Sequence, residues 1–132
     1  MTWETQKIVE ANRDKLRDAF RRMRKTKLVA RMNFSCCGNC GAYELGSMVQ
    51  EAGGSKLGYA FFHHQDNDRL ESSGKVMLCY GPWYPPNDSD DQLHDERTTI
   101  IGTLVLAALL REGLAVEWDG TPQQRIEVDL TH

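Results

Sequence analysis

The stretch Phe34-Ser35-Cys36-Cys37-Gly38-Asn39-Cys40-Gly41 puts three of the chain's four cysteines inside five residues. Such a concentration points to metal ligation or thiol redox chemistry. Cys37-x-x-Cys40-Gly41 has the form of a zinc knuckle, in which a tight turn aims two thiolates at one cation. The glycine that follows is expected to let backbone amides point at the sulfurs. Zinc takes four ligands, or three with a position left for water, and one knuckle supplies two. The others must come from Cys36, His63, His64, Cys79, Asp66 or the acidic start of a later helix. His63 is the preferred third ligand, because it ends a strand that can lie beside the strand entering the motif. Either Cys36 or Asp66 would complete the shell, although adjacent cysteines strain a single tetrahedral site. The plainer alternative for the histidines is that one packs and the other faces solvent.

Thiol-disulfide exchange calls for the same spacing for another reason. At a helix N-terminus the free amides and the helix dipole stabilise a thiolate, which activates the first cysteine of the pair. Cys37 would then attack, Cys40 would resolve, and Cys36 would be placed to trap intermediates. Cys37-Gly38-Asn39-Cys40 resembles the Cys-Gly-x-Cys of thioredoxin-like proteins, and Thr121-Pro122 before a strand is similar to their cis-proline loop. The likeness is local: the later order of elements departs from that pattern, and no tryptophan precedes the first cysteine. A third reading makes the cysteines inert residues of a packed strand-helix joint. Cys79, alone on an apolar strand, reads as a core residue.

Three further groups carry weaker signals. Asp88, Asp90, Asp91, Asp95 and Glu96 with His94 form an acidic helix start, which the helix dipole explains without a metal. Trp83-Tyr84 between prolines reads as loop packing or as a docking element. Arg21, Arg22, Arg24, Lys25 and Lys27 close the first helix, where cations complement the dipole; one helix end without interleaved aromatics makes no case for nucleic acid. Neither a phosphate-cradling glycine loop nor a Ser/His/Asp signature is present.

The elements that position these residues follow from periodicity. From Trp3 to about Lys25 apolar residues recur at helical spacing, with a break at Asn12 and Thr2 as N-cap. A strand is expected over 28–34 and a helix from Gly41 to Glu51, stopped by Gly53-Gly54. Leu57 to His63 reads as a strand, Gln65 to Ser72 as a short helix and Lys75 to Tyr80 as a strand. Gly81-Pro82-Trp83-Tyr84-Pro85-Pro86 is expected to be a loop, since proline cannot donate to a ladder. A long helix over 91–112, with Ser89-x-x-Gln92 as capping box, is apolar nearly all round its second half and is expected to be buried. Leu114 to Trp118 and Ile126 to Leu130 alternate as a C-terminal hairpin with Asp119-Gly120 at the turn. The order predicts an α+β fold: a two-layer domain with a mixed sheet of about five strands packed against helices.

A chain of 132 residues fits a single domain, with 1–27 as an N-terminal amphipathic helix and 28–132 as the cysteine-motif core. Its apolar fraction of 40% and charged fraction of 27% exclude a disordered or fibrous class. The longest apolar run, Ile100 to Leu110, is broken by Gly102 and Thr103 and falls short of the roughly 20 residues of a membrane span. Met1 to Val9 carries Glu4 and Lys7 and lacks a signal-peptide core, so a cytoplasmic location is expected, where thiols stay open. Residues 1 to 31 hold ten Lys/Arg against four acids and the remainder six against fifteen, so the two parts should attract each other or present different faces.

Phe34-x-Cys36-Cys37-x-x-Cys40-Gly41, then Gly58-Tyr59-x-Phe61-x-His63-x-x-Asp66, and then Trp118-Asp119-Gly120 before a strand together resemble a family of bacterial proteins catalogued as a domain of unknown function. The resemblance runs from about residue 28 to the end. It implies a bacterial cytosolic domain whose recognisable positions are Cys36, Cys37, Cys40, His63 and Asp66, favours His63 over His64, and leaves Cys79 outside. No activity comes with it. The leading expectation is a zinc-binding domain ligated by Cys37 and Cys40, with His63 and either Cys36 or Asp66. A thiol-disulfide oxidoreductase using Cys37 and Cys40 is the runner-up, and a protein or polyanion interaction module the third reading.

Overall fold

The computed structural model describes residues 1–82 and 91–132. Helix α1 spans Trp3–Lys25, and Thr2 caps it by accepting the Thr5 amide at 3.1 Å. Strand β1 (Leu28–Arg31), helix α2 (Gly38–Glu51), strand β2 (Gly58–Phe61), helix α3 (His64–Ser73) and strand β3 (Lys75–Pro82) follow. Helix α4 (Asp91–Arg111) and strands β4 (Ala115–Glu117) and β5 (Ile126–Asp129) complete the chain. The five strands form one open sheet in the order β1-β2-β3-β5-β4, parallel between β1 and β2 and antiparallel elsewhere. This is the expected α+β fold with its mixed five-stranded sheet.

Strand alternation decides which helix meets which face. Leu28, Ala30, Ala60, Phe62, Val76, Leu78, Ile126 and Val128 join the main core with Leu16, Phe20 and Met23 of α1 and Ile101, Val105 and Leu109 of α4. The alternate residues Val29 and Phe61 turn the other way and form a smaller core with Leu45 and Val49 of α2, against which Phe34, Tyr59 and Cys79 pack. Helices thus cover both faces of the β1–β2 half, and α2 is alone in the smaller cluster. Asn12, which interrupts the α1 stripe, is 6% exposed and pays for its burial by donating to Leu130 O at 2.9 Å and His132 O at 2.7 Å.

Several expectations are corrected. Helix α4 is buried along one side only: Ile100 and Leu110 are each 54% exposed, because the sheet and α1 meet a single stripe of it. Gly81 and Pro82 belong to β3 rather than to a loop, in register with Tyr59 and Gly58. Beyond Leu78 that strand has no β5 partner on its other edge, and a terminal position tolerates proline. The β4–β5 connection runs from Trp118 to Arg125 instead of closing in a two-residue turn at Asp119-Gly120. Asp119 Oδ1 there accepts from the Thr121 amide at 2.9 Å and its hydroxyl at 2.7 Å, opening a wider loop. No peptide bond is cis among the described residues, so Thr121-Pro122 does not reproduce a cis-proline loop. Trp83-Tyr84, Asp88, Asp90 and the Ser89 half of the capping box lie outside the described residues.

Candidate metal centre

Where β1 ends, the backbone changes conformation sharply. Asn33 and Ser35 take φ values of 48° and 72°, left-handed for residues other than glycine. Each such residue costs on the order of 1 kcal/mol or more. The ladder of β1 therefore stops at Arg31, short of the expected 34. Two bonds to the chain beyond β2 hold the kinked segment: Phe34 N donates to Phe62 O at 2.8 Å, and His64 N donates to Ser35 O at 3.0 Å. The cysteine motif and the start of α3 are thereby fastened side by side, at the C-terminal ends of two parallel strands.

Helix α2 begins at Gly38, three residues earlier than periodicity indicates, so the motif forms its cap and first turn. Cys37 is the N-cap, with φ −159° and ψ 171°, and its sulfur accepts the Cys40 amide at 3.5 Å. An N-cap side chain normally reaches the amide three positions on, and Cys-x-x-Cys has that spacing. The first turn of α2 contains no acidic residue. Thiolates would supply the negative charge that a helix N-terminus favours. Gly41 serves packing rather than the sulfurs: its amide donates to Cys37 O at 3.1 Å, and a Cβ there would lie 2.3 Å from Phe61 Cε2.

The ligand atoms of Cys36, Cys37 and Cys40 all lie within 4.8 Å of one another, with Cys36 and Cys40 exposed and Cys37 half-buried. Cys36 Sγ and Cys37 Sγ are 3.9 Å apart. Sulfurs bound to one tetrahedral zinc at about 2.3 Å sit roughly 3.8 Å apart, so the adjacent pair already has the separation of a shared ion. Within this group the thiols differ. The Cys40 amide, then the Cys40 thiol, bring Cys37 below the usual cysteine value. Cys40 is pushed up to about 11, first by its thiol bond to Cys37, then by Cys36 and by the charges of both.

His63 and Asp66 are placed differently from the thiols and are not members of that group. His63, 8% exposed, is the N-cap of α3: its side chain accepts the Asp66 amide at 3.4 Å, while Asp66 Oδ2 accepts the His63 amide at 3.2 Å. His63 Nε2 is 3.1 Å from the same Asp66 oxygen. Asp66, 1% exposed, also accepts from Arg125 Nη2 at 2.6 Å. The pair thus forms a capping box closed by an arginine from the end of the β4–β5 loop. His64 is exposed and bonds Asn33 Oδ1 at 2.7 Å, so one histidine packs and the other faces solvent.

Cys79 lies beside this array. Its sulfur is 3.8 Å from where a Gly38 Cβ would stand, and burial pushes its thiol up while the nearby Arg125 charge opposes that. It is half-buried against the α2 cluster and outside the three-thiol group. Arg125 carries no motif signal, because nothing local distinguishes it from the exposed charges of the strand that follows. Asp95 and Glu96 of the acidic helix start are exposed, and Gln92 donates to Glu96 Oε1 at 3.5 Å.

Among the described residues no helix is long and apolar enough to cross a membrane. Comparison with curated proteins and with solved structures gives no match. A family model described as a domain of unknown function (DUF6891) matches residues 2–132, so the N-terminal helix falls within the match along with the cysteine, histidine and tryptophan blocks, and the chain belongs to that family.

Proposed function

We propose that the domain binds a thiophilic metal ion, zinc, through Cys36, Cys37 and Cys40. The observation that carries this reading is the convergence of three cysteine sulfurs within 4.8 Å at the first turn of α2. Soft thiolates select zinc over hard cations, and the helix N-terminus and the Cys40 amide offset the charge that three thiolates bring. Three sulfurs leave a fourth position for solvent or for a donor from another molecule. His63 would complete the shell only by giving up the α3 cap, since both its ring nitrogens face Asp66. On this reading His63 and Asp66 hold the α3 start against the motif rather than ligate the ion. Metal analysis of protein purified without added metal tests the reading. About one zinc per chain, with the motif thiols protected until a chelator is added, is the expected result. Negligible metal, with every motif thiol freely titratable in the folded protein, would overturn it.

Thiol-disulfide exchange is the second reading, favoured by the position of Cys37 as N-cap with its sulfur on the Cys40 amide. The Cys37 thiolate would attack a disulfide of a substrate protein, forming a mixed disulfide and releasing one substrate thiolate. Cys40, once deprotonated, would attack the Cys37 sulfur, forming the Cys37–Cys40 disulfide and releasing the second thiolate. The dithiol supplies the two electrons that reduce the substrate. Trapping of a mixed disulfide by Cys40→Ser, abolished by a further Cys37→Ser, would favour this reading over zinc.

A further inference from the structure

A second constellation lies on the α1 side of the sheet. Arg13, Arg17, Arg21 and Arg24 recur along one face of α1 at helical spacing, and Arg31 at the end of β1 meets them. Together with Asn33 and Asn67 they line an open groove of about 520 Å³ whose floor is built from Met32, Phe62 and Leu70. Five arginines therefore line one cavity, and Glu71 is the one carboxylate among its described lining residues.

Existing partners do not consume this charge. Glu71 pairs with Arg13 at 3.1 Å, and the Arg13 Nε is buried without a hydrogen-bond partner among the described residues. Arg21 pairs with Asp18 at 3.1 Å, and Arg17 with Asp14, both on the exposed surface of α1 at i,i+3 spacing. Such exposed pairs are worth little and exchange readily for a better acceptor. Arg24 and Arg31 each donate through Nη1 to Ala30 O, at 3.3 and 2.9 Å, which aims both toward the same carbonyl and leaves their other donors for a ligand. A phosphate group accepts from arginine in a bidentate fork, and several arginines around one cavity can divide a polyphosphate among them. The sequence-level explanation of the basic run as dipole complement covers Arg22, Arg24 and Lys25 in the last turn of α1, but not Arg13, Arg17 or Arg31.

We infer that this groove is a binding site for a small phosphorylated molecule carrying two or three linked phosphates. Its volume falls in the range of small-molecule sites, about 300–1,000 Å³. The Asn67 amide, and the amide nitrogen of Asn33 whose oxygen is held by His64, offer hydrogen bonds to the part of the ligand beyond the phosphates. This site is separate from the thiols and does not depend on what they bind.

Isothermal titration of the full chain with inorganic triphosphate and with adenosine triphosphate at low salt tests the inference. Saturable one-to-one binding that weakens as salt rises is expected for both probes. Arg17→Ala and Arg21→Ala, at exposed positions that leave the thermal melt unchanged, should each weaken binding about tenfold, as for loss of a charged hydrogen bond. Arg17→Lys should recover only part of the loss, because it keeps the charge without the fork. Absence of binding by both probes, or binding indifferent to Arg17→Ala and Arg21→Ala, would overturn the inference. So would a single-stranded oligonucleotide that binds at concentrations where neither triphosphate does.

Discussion

Replacing Asp66 by alanine separates the structural role it has at the α3 start from the ligand role the sequence offers for it. One carboxylate oxygen serves the His63 amide at 3.2 Å, His63 Nε2 at 3.1 Å and Arg125 Nη2 at 2.6 Å, and the residue is 1% exposed. Truncating one member of a buried, hydrogen-bonded ion pair costs about 3–5 kcal/mol. Arg125 is 34% exposed in its side chain and can turn partly to water, so this contribution is reduced to about 2–3 kcal/mol. Loss of the reciprocal cap at α3 adds about 1 kcal/mol. The expected destabilisation is about 3–4 kcal/mol, a large part of the roughly 5–15 kcal/mol of a typical domain. Equilibrium urea unfolding in the presence of reductant and chelator, followed by tryptophan fluorescence, measures it. With a slope of about 1.5–2 kcal/mol per molar, the midpoint should fall by about 2 M. Zinc affinity of the variant that remains folded should be nearly unchanged. A midpoint shift below about 0.5 M, together with a loss of zinc affinity, would refute the reasoning and make Asp66 a ligand.

Two more perturbations follow from the same geometry. Gly41→Ala would press a methyl group to 2.3 Å from Phe61, which is fully buried with Leu45 and Val49 and cannot retreat, so unfolding should come about 1–3 kcal/mol earlier; a variant as stable as wild type would mean that α2 can slide. Alkylation of metal-free protein over a pH series, read residue by residue by mass spectrometry, should modify Cys37 at lower pH than an unfolded cysteine, and Cys40 only as pH approaches about 11. Folding favours the thiolate at Cys37, a contribution that fades as pH falls through its depressed value. It favours the thiol at Cys40, a contribution lost as pH climbs from the unfolded cysteine range through about 11. Cys40 reacting first would contradict the assignment of Cys37 as the cap.

What the sequence determined by itself is the set of elements and the position of the reactive cluster. Helix α1, the strand before the cysteines and the pair β4 and β5 are legible because burial against one partner imposes a period of 3.6 or 2 on the apolar residues. The Cys36, Cys37 and Cys40 cluster is legible as a group because its spacing is local, while the cap and first turn of α2 are what bring its sulfurs within 4.8 Å of one another. The role of His63 was not legible in the same way. A histidine at the end of a strand and an aspartate three residues on read as candidate ligands, whereas the capping box they form and the bond of Asp66 to Arg125, distant in sequence, show only in the fold. The start of α2 escaped because a cysteine is an unusual cap and Gly38-Asn39 carries no helical signal, yet Cys37 Sγ takes the Cys40 amide. Tertiary structure alone decided that the α1 arginines share a groove with Arg31, since that meeting depends on how α1 packs along β1. Local spacing fixes which atoms are neighbours along the chain, whereas long-range packing fixes which of their competing partners they keep.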